Sequence, residues 1–533
     1  MKKPWYESYD SNVKHSLVYP DISIPTLLKI SVDRNSQRTA IIQGTRQIAY
    51  SQLYQKSSNL ARKFIADGLK PGDRVAICLG NQIEFALAFY ATLIAGGVVA
   101  AVNPTYPARE IKFQADIAKP KFFIGNRKNL ALVNEIKSQI EFGKVYLCDE
   151  SEDFSILELE EEATRIMQTP NLEEIDSPEI KSDQVAILQF SGGTTGSPKA
   201  AVGLHRNVIS NIFQFSEWLS PVIKENEFFL TAIPLFHVYG MVIGLNVALN
   251  LGATIILADG AKEIEGLAEL ISKHKVSVFP GVPSIFNSFN RYFKTKGNSP
   301  QLVSLKVCIS GSAPLPMTVK SNFEELTGSH LVEGYGLSEA PTATHCNPVG
   351  KGNRDGSIGL PLPDVDCGIL DLQTGKISIT PGITGELLVR GPQVMQGYFG
   401  NQKETVETLA GGWLHTGDIA YMDKDGYFYI VGRRKEMIKV GGLQVWPNEI
   451  EDVLRSMPGI KEVAVTGIAD ENSGEVSKAW VVLEDGASLN LTKVREFCEN
   501  KLAGYKIPRK LSILDELPKS AVGKILKYQL VDK

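Results

Sequence analysis

The chain has 533 residues, 43% hydrophobic and 22% charged, which is ordinary globular composition. That length asks for two or more folding units rather than one core. A formal net charge of −4 excludes a nucleic-acid binder with a uniformly basic surface, so no nucleic-acid partner is expected.

The six cysteines, Cys78, Cys148, Cys308, Cys346, Cys367 and Cys498, are widely scattered. None forms a CxxC pair or a Cys/His cluster at zinc-site spacing, which fits reduced thiols in a cytosolic protein. The opening MKKPWYESYD has no apolar run behind its lysines and does not read as a secretory signal. The closing LVDK reads as neither a lipidation nor a peroxisomal signal.

In chain order, residues 51–68 place Leu53, Leu60, Ala61 and Phe64 on one helical face and stop at glycine. A Lys70-Pro71-Gly72-Asp73 turn leads into a short apolar strand over 74–79. Residues 85–102 and 228–258 are uncharged and long enough to span a bilayer. Gly96-Gly97 interrupts the first, and Pro234, His237, Gly240, Asn246, Asn250 and Gly252 break the second. Both therefore read as buried helix-turn-strand pieces, since strands buried on both faces are apolar throughout. A peripheral membrane contact and a homodimer are compatible with this composition. The acidic stretch 150–177 reads as a solvated connection. Short strands at 253–258, 276–280 and 303–310, with helical segments between, imply a mostly parallel sheet covered by helices.

After about residue 365 shorter glycine-bounded strands appear, at 385–390 and 426–431, as in a β-rich subdomain. Pro447 then opens a helix with Glu449 and Glu451 in its first turn, where acids suit the positive end. Ile450, Val453, Leu454 and Met457 give its apolar stripe, Pro458-Gly459 stops it, and 461–467 reads as the next strand. Residues 436–533 fit a small α+β domain. The expected fold class is α/β, a large N-terminal domain of helix-covered mixed sheets with a β-rich subdomain, followed by that small C-terminal domain.

The chemistry concentrates first in Phe190-Ser191-Gly192-Gly193-Thr194-Thr195-Gly196-Ser197-Pro198-Lys199, which follows an apolar strand. Three glycines let backbone N–H groups wrap an anion, the hydroxyls add donors, and Lys199 adds a positive charge. This is not the common nucleotide loop, which needs G-x-x-x-x-G-K-[ST] and then a helix. Here Pro198 precedes the lysine, Ala200-Ala201 follow it, and the next residues look extended. By composition alone such loops are more often plain linkers. The whole string, however, resembles the phosphate loop of the adenylate-forming superfamily, which contains acyl-CoA synthetases, luciferases and peptide-synthetase adenylation domains. Ala200 departs from that family's usual glycine.

Further stretches resemble the superfamily in the same order. Gly334-Tyr335-Gly336-Leu337-Ser338-Glu339 resembles the segment whose tyrosine stacks on adenine and whose glutamate faces magnesium. Ser338 replaces the commoner threonine and keeps the hydroxyl. The resemblance gives Thr194 a place beside the metal as well. Gly311-Ser312-Ala313-Pro314 matches the loop against the adenine. Trp413-Leu414-His415-Thr416-Gly417-Asp418 supplies the aspartate that takes the ribose hydroxyls, and Arg433 would contact ribose or phosphate.

Pro518-Lys519-Ser520-Ala521-Val522-Gly523-Lys524 matches the catalytic-lysine motif. Lysines near a terminus are usually only solubilising, but a flexible ammonium bridging carboxylate and phosphate would lower the barrier between two anions. Residues 432–451 resemble the interdomain hinge and the loop used in the second half-reaction. Lys435 falls at the hinge, Lys439 would face the active site in one orientation, and Gly441-Gly442 let the pantetheine thiol pass. The resemblance thus implies domains at 1–432 and 436–533 about a hinge at 433–435, with the C-terminal one mobile. It also implies ATP and Mg2+ as cofactors, and coenzyme A as co-substrate beside a small carboxylic acid.

The stretches 356–363, 391–398, 411–434 and 497–508 resemble bacterial-type long-chain fatty-acyl-CoA synthetases. They imply a cytoplasmic ligase for medium- to long-chain acids, with any membrane contact peripheral at the inner face. The acyl pocket is expected from residues 234–244, with Val238, Tyr239, Gly240 and Met241, and from Val332. Their apolar character fits an alkyl tail better than an ammonium-bearing amino acid. His237 stands at the family's aromatic gate, as gate, catalytic group or hydrogen-bonded core histidine. The short tail after Lys524 argues against a fused carrier segment. Two alternatives stay open, an aryl- or small-acid–CoA ligase and a non-catalytic nucleotide- or acyl-binding regulator.

Overall fold

Apolar strands of four to seven residues followed by amphipathic helices build most of the chain, as the alternation in sequence requires. The computed structural model describes residues 3–149, 156–158, 176–191, 199–260, 263–296, 302–470, 473–499, 501–520 and 523–530. Contacts divide it into two units. The first takes residues up to 193, then 197–366 and 390–414; the second takes 367–389 and 415–533. The β-rich stretch after residue 366 therefore groups largely with the C-terminal segment.

The first unit contains two helix-covered sheets. In a seven-stranded sheet, Arg74–Ile77, Val98–Ala101, Phe122–Asn126 and Lys144–Cys148 run parallel, and Val185–Ser191 continues that direction beside Val98–Ala101. One edge is closed by the antiparallel strand Lys199–Leu204. The other is closed by Ile156–Glu158, which lies inside the stretch read above as a solvated connection. Those three residues are a correction, made because they complete the open edge of Lys144–Cys148; most of 150–177 lies outside the described residues.

A nine-stranded sheet has Thr254–Leu257, Phe228–Thr231, Val278–Gly281, Val307–Ser310 and His330–Gly336 as parallel neighbours in that order. Ala343–Cys346 and Leu360–Pro361 then pair antiparallel. The strand expected at 303–310 begins only at Val307. Asn81 joins the two sheets. Its buried amide donates to the carbonyls of Ile233 and Ala258, 3.0 Å each, and its oxygen accepts the Leu235 N–H at 2.8 Å.

The two uncharged stretches are buried as expected. The first is the helix Ile83–Ile94, buried at every position, followed by Val98–Ala101. The second contains a π-helix, Gly240–Val247, that the sequence reading does not anticipate. Among the described residues no helix is long and apolar enough to cross a membrane. The six cysteines are buried and form no disulfide.

The second unit holds two five-stranded sheets. One consists of Asp366–Leu370, Ile377–Ser378, Gly385–Arg390, Leu414–Met422 and Phe428–Arg433. The other pairs Ile460–Asp470, Gly474–Leu483, Ile438–Val440 and Leu443–Val445, with Lys510–Ile513 parallel to Gly474–Leu483. The helix Pro447–Arg455 packs Ile450 and Leu454 against this sheet with Val463, Val465, Ala479 and Val481.

Candidate active site

In parallel sheets, ligands bind beyond the carboxyl ends of the strands. The first unit places most of its expected site residues there. Ser191 ends Val185–Ser191 and pairs across the ladder with Lys199, which opens the next strand. Gly192, Gly193, Thr194, Thr195 and Gly196, together with Ser197 and Pro198, lie outside the described residues. The chain is extended after Lys199, as its neighbours imply, so no helix N-terminus follows the lysine.

The strand His330–Gly336 leads to Glu339. Gly336 is fixed by crowding, because a Cβ there would lie 1.7 Å from the Thr342 carbonyl oxygen. Tyr335 is half-buried, edge-on to His345 at 5.8 Å between ring centroids. His345 is buried, and desolvation pushes its pKa down to about 3, so it stays neutral beside the tyrosine. Asn211 holds the return strand by accepting the Thr342 and Ala343 N–H groups at 2.8 and 3.1 Å. Ser338 sits in the turn before Glu339.

Glu339 and Lys199 are joined by residues the sequence reading did not single out. The Tyr398 hydroxyl donates to Glu339 Oε1 at 2.7 Å, while the Lys199 ammonium stands 5.3 Å from the centre of the Tyr398 ring. Burial first, and then the Glu339 carboxylate, hold the Tyr398 phenol well above its ordinary pKa. Lys199 also forms an ion pair with Glu404, which lies on the short helix Gln402–Thr408. Tyr398 belongs to a stretch quoted only for its likeness. Nothing local in sequence ties Glu404 to a lysine two hundred residues earlier.

The loop Gly311-Ser312-Ala313-Pro314 leaves the end of Val307–Ser310, and Ser312 adopts left-handed φ of 69°. Tyr239 packs beneath it. A Cβ on Gly311 would meet the Tyr239 ring at 3.1 Å, and the Tyr239 hydroxyl donates to the Ile309 carbonyl at 2.9 Å. Val332 lies beside Ile309 in the neighbouring strand. Val238, Tyr239, Gly240, Met241 and Val332 are all buried, and Tyr239 brings the residues expected at the acyl group against the loop expected at the adenine.

His237 is half-buried, and its Nδ1 accepts the Tyr239 N–H at 3.2 Å, which leaves Nε2 to carry the proton of the neutral ring. The π-helix beyond it is held by tertiary contacts. A Cβ on Gly240 would lie 2.1 Å from the Pro234 carbonyl oxygen. The Asn246 amide donates to the Met241 carbonyl at 2.8 Å and accepts the Tyr90 hydroxyl at 2.9 Å. Short π-helical turns recur at functional sites.

The second unit brings Asp418 and Arg433 together as cross-strand partners, with Arg433 Nε 2.9 Å from Asp418 Oδ1. Asp418 lies within the strand Leu414–Met422, not in the turn its glycine neighbour suggests. Buried Glu386 organises the segment before it. Its carboxylate accepts the Gly417 N–H at 3.1 Å and pairs with Arg434 at 3.2 Å. Lys435 is exposed in a short 3-10 turn. Lys439 is exposed on Ile438–Val440, and Gly441 and Gly442 form the turn after it, with φ of 56° and 84°. Lys524 is exposed on a hairpin whose arms are bonded from Ser520 N to Lys524 O at 2.8 Å and from Leu526 N to Pro518 O at 2.8 Å.

Among the described residues no three acidic, histidine or cysteine side chains converge on one point. Magnesium at a nucleotide takes one or two protein carboxylates and completes its shell with phosphate oxygens and water, so Glu339 suits that donor set.

The ladder partners Ser191 and Lys199 at the edge of one sheet, and the Tyr335 strand end and Glu339 turn of the other, bridged by Tyr398, suit a nucleotide-binding α/β enzyme. The chain belongs to the AMP-binding enzyme family: that family's profile matches residues 28–399, and the profile of the AMP-binding enzyme C-terminal domain matches 449–524. It is 36% identical to a long-chain-fatty-acid–CoA ligase of Bacillus subtilis, covering 100% of this chain and 98% of that one. It is 33% identical to the enzyme of the same name from Escherichia coli O157:H7, with the same coverage. The solved structure of ATP-bound MatB from Rhodopseudomonas palustris superposes with a TM-score of 0.85 at 27% identity, covering 96% of this chain and 98% of that one.

Proposed function

We propose that this protein is an ATP-dependent fatty-acid–CoA ligase acting on medium- to long-chain acids. One observation carries the choice of acid: 36% identity along the whole chain to a relative named as a long-chain-fatty-acid–CoA ligase. The buried, uncharged run Gly240–Val247, which follows the Tyr239 that packs at Gly311, fits an alkyl substrate.

A carboxylate has no good leaving group. Attack of its oxygen on the α-phosphorus of ATP releases pyrophosphate and gives an acyl-adenylate. The coenzyme A thiol then displaces AMP and forms the thioester. In this reading Ser191, the loop 192–196 and Lys199 hold the phosphates, Thr194 and Glu339 face Mg2+, and Tyr335 with the segment 311–314 borders the adenine. Mg2+ would supply charge neutralisation between the phosphate oxygens. Asp418 accepts the ribose hydroxyls while Arg433 fixes its carboxylate. Lys524 bridges the two anions during adenylation. Lys435 is the pivot from which Lys439 and Gly441-Gly442 serve the thiol step, and His237 gates the carboxylate.

The test separates the half-reactions. Lys524→Ala should slow dodecanoate-dependent pyrophosphate release by at least about a hundredfold, the scale of a lost electrostatic contact. Thioester formation from supplied dodecanoyl-AMP should stay near wild type. Equal loss in both steps would remove the division of labour.

A further inference from the structure

Lys524 sits on a hairpin that is already well packed. Leu517, Ile525 and Leu530 on its arms join Ala464, Trp480 and Val482 of the sheet, and the Lys519 ammonium pairs with Glu462 at 2.7 Å. Lys527, three residues after Lys524, makes a different kind of contact. Its ammonium lies 3.0 Å from Glu436 Oε2 and 2.8 Å from Glu451 Oε1. Glu436 directly follows Lys435. Glu451 is buried in the helix Pro447–Arg455, where it also accepts the Val465 N–H at 2.8 Å and pairs with Arg455 at 3.1 Å. Burial alone would lower the Lys527 pKa, but the carboxylates of Glu451 and Glu436 outweigh it and raise it.

A largely buried ion cluster, here with Glu451 buried and Lys527 and Glu436 partly so, is a poor way to gain stability, because apolar residues of similar volume usually do as well; its better use is to fix one arrangement. Here the arrangement joins the hairpin of Lys524 to the residue after Lys435. We infer that Lys527 is a positioning residue for adenylation: it locks the Lys524 hairpin to the exit of the hinge, so that the catalytic ammonium is carried to one fixed place. This rests on the reading of Lys524 and Lys435 given above. Glu436 and Glu451 are the two jaws of the lock.

The test uses the full-length protein with three variants, Lys527→Met, Lys527→Arg and Glu436→Gln, beside Lys524→Ala. Dodecanoate-dependent pyrophosphate release is measured without coenzyme A, and thioester formation is measured from supplied dodecanoyl-AMP. Lys527→Met should slow adenylation about tenfold or more, since a displacement near 1 Å can cost a hundredfold. The thioester step serves as an internal control for folding and should hold within about twofold on the same argument. Glu436→Gln should slow adenylation in the same direction, and Lys527→Arg should restore most of the rate. Wild-type adenylation in Lys527→Met, or equal loss in both steps, overturns the inference. Adenylation unchanged by Lys524→Ala would instead defeat the reading it rests on.

Discussion

Lys199 already has an anion beside it. Glu404 forms an ion pair with it, and their side chains are 16% and 35% exposed, so the pair is neither buried nor fully solvated. If Lys199 must turn to a phosphate, this carboxylate competes with the nucleotide. Partly screened pairs of this kind are worth about 1 kcal/mol. Removing the competitor should therefore tighten nucleotide binding by a factor of about five. Glu404→Gln keeps the size and the helix while deleting the charge. Calorimetric titration of MgATP into the protein without acid should show that gain. In a Lys199→Ala background the same change should give none, because there is no ammonium to release. Unchanged or weaker binding in Glu404→Gln would refute the competition and make Glu404 a holder of Lys199 instead.

Other outcomes follow from the buried contacts. Arg46→Met should destabilise the fold by about 3–5 kcal/mol, because it leaves the fully buried Glu84 carboxylate without its guanidinium; urea unfolding measures this. Gly240→Ala should lower both ligase rate and thermal midpoint, since its Cβ would meet the Pro234 oxygen at 2.1 Å; a wild-type midpoint would contradict the packing. His205 is buried, its pKa is pushed down to about 4 by desolvation, and its Nδ1 accepts the Ile24 N–H at 3.2 Å. The unfolded chain binds that proton more readily between about pH 6.5 and 4, so stability should fall as pH drops through this window, by up to about 3 kcal/mol. His205→Gln should flatten part of that dependence in a thermal-melt series. Tyr398→Phe removes the donor to Glu339 and should weaken magnesium binding, read as a higher MgCl2 concentration for half-maximal rate.

The parallel sheets were legible because each short apolar run is followed by a helical stripe and a glycine. Arg74–Ile77 and Pro447–Arg455 fall almost where periodicity puts them. The π-helix at Gly240–Val247 was not, since its cause is tertiary: Pro234 behind Gly240 and Tyr90 reaching Asn246. The edge strand Ile156–Glu158 was missed because only a partner strand makes it one. Motif order named Lys199, Glu339, Asp418, Arg433 and Lys524. What holds them did not show, because Asn81, Glu386, Tyr398, Glu404 and Lys527 act across long separations with no local pattern. The Asp418–Arg433 pair became visible only once their strands lay side by side.

In the proposed function this chain joins a fatty acid to coenzyme A through an adenylate. The most direct measurement supplies ATP, Mg2+ and coenzyme A with a panel of acids and follows AMP, pyrophosphate and thioester together. Equal amounts of all three are expected, with dodecanoate and longer acids far ahead of acetate and 4-coumarate. A preference for acetate or 4-coumarate would contradict the fatty-acid reading, and no pyrophosphate with any acid would contradict the enzyme itself.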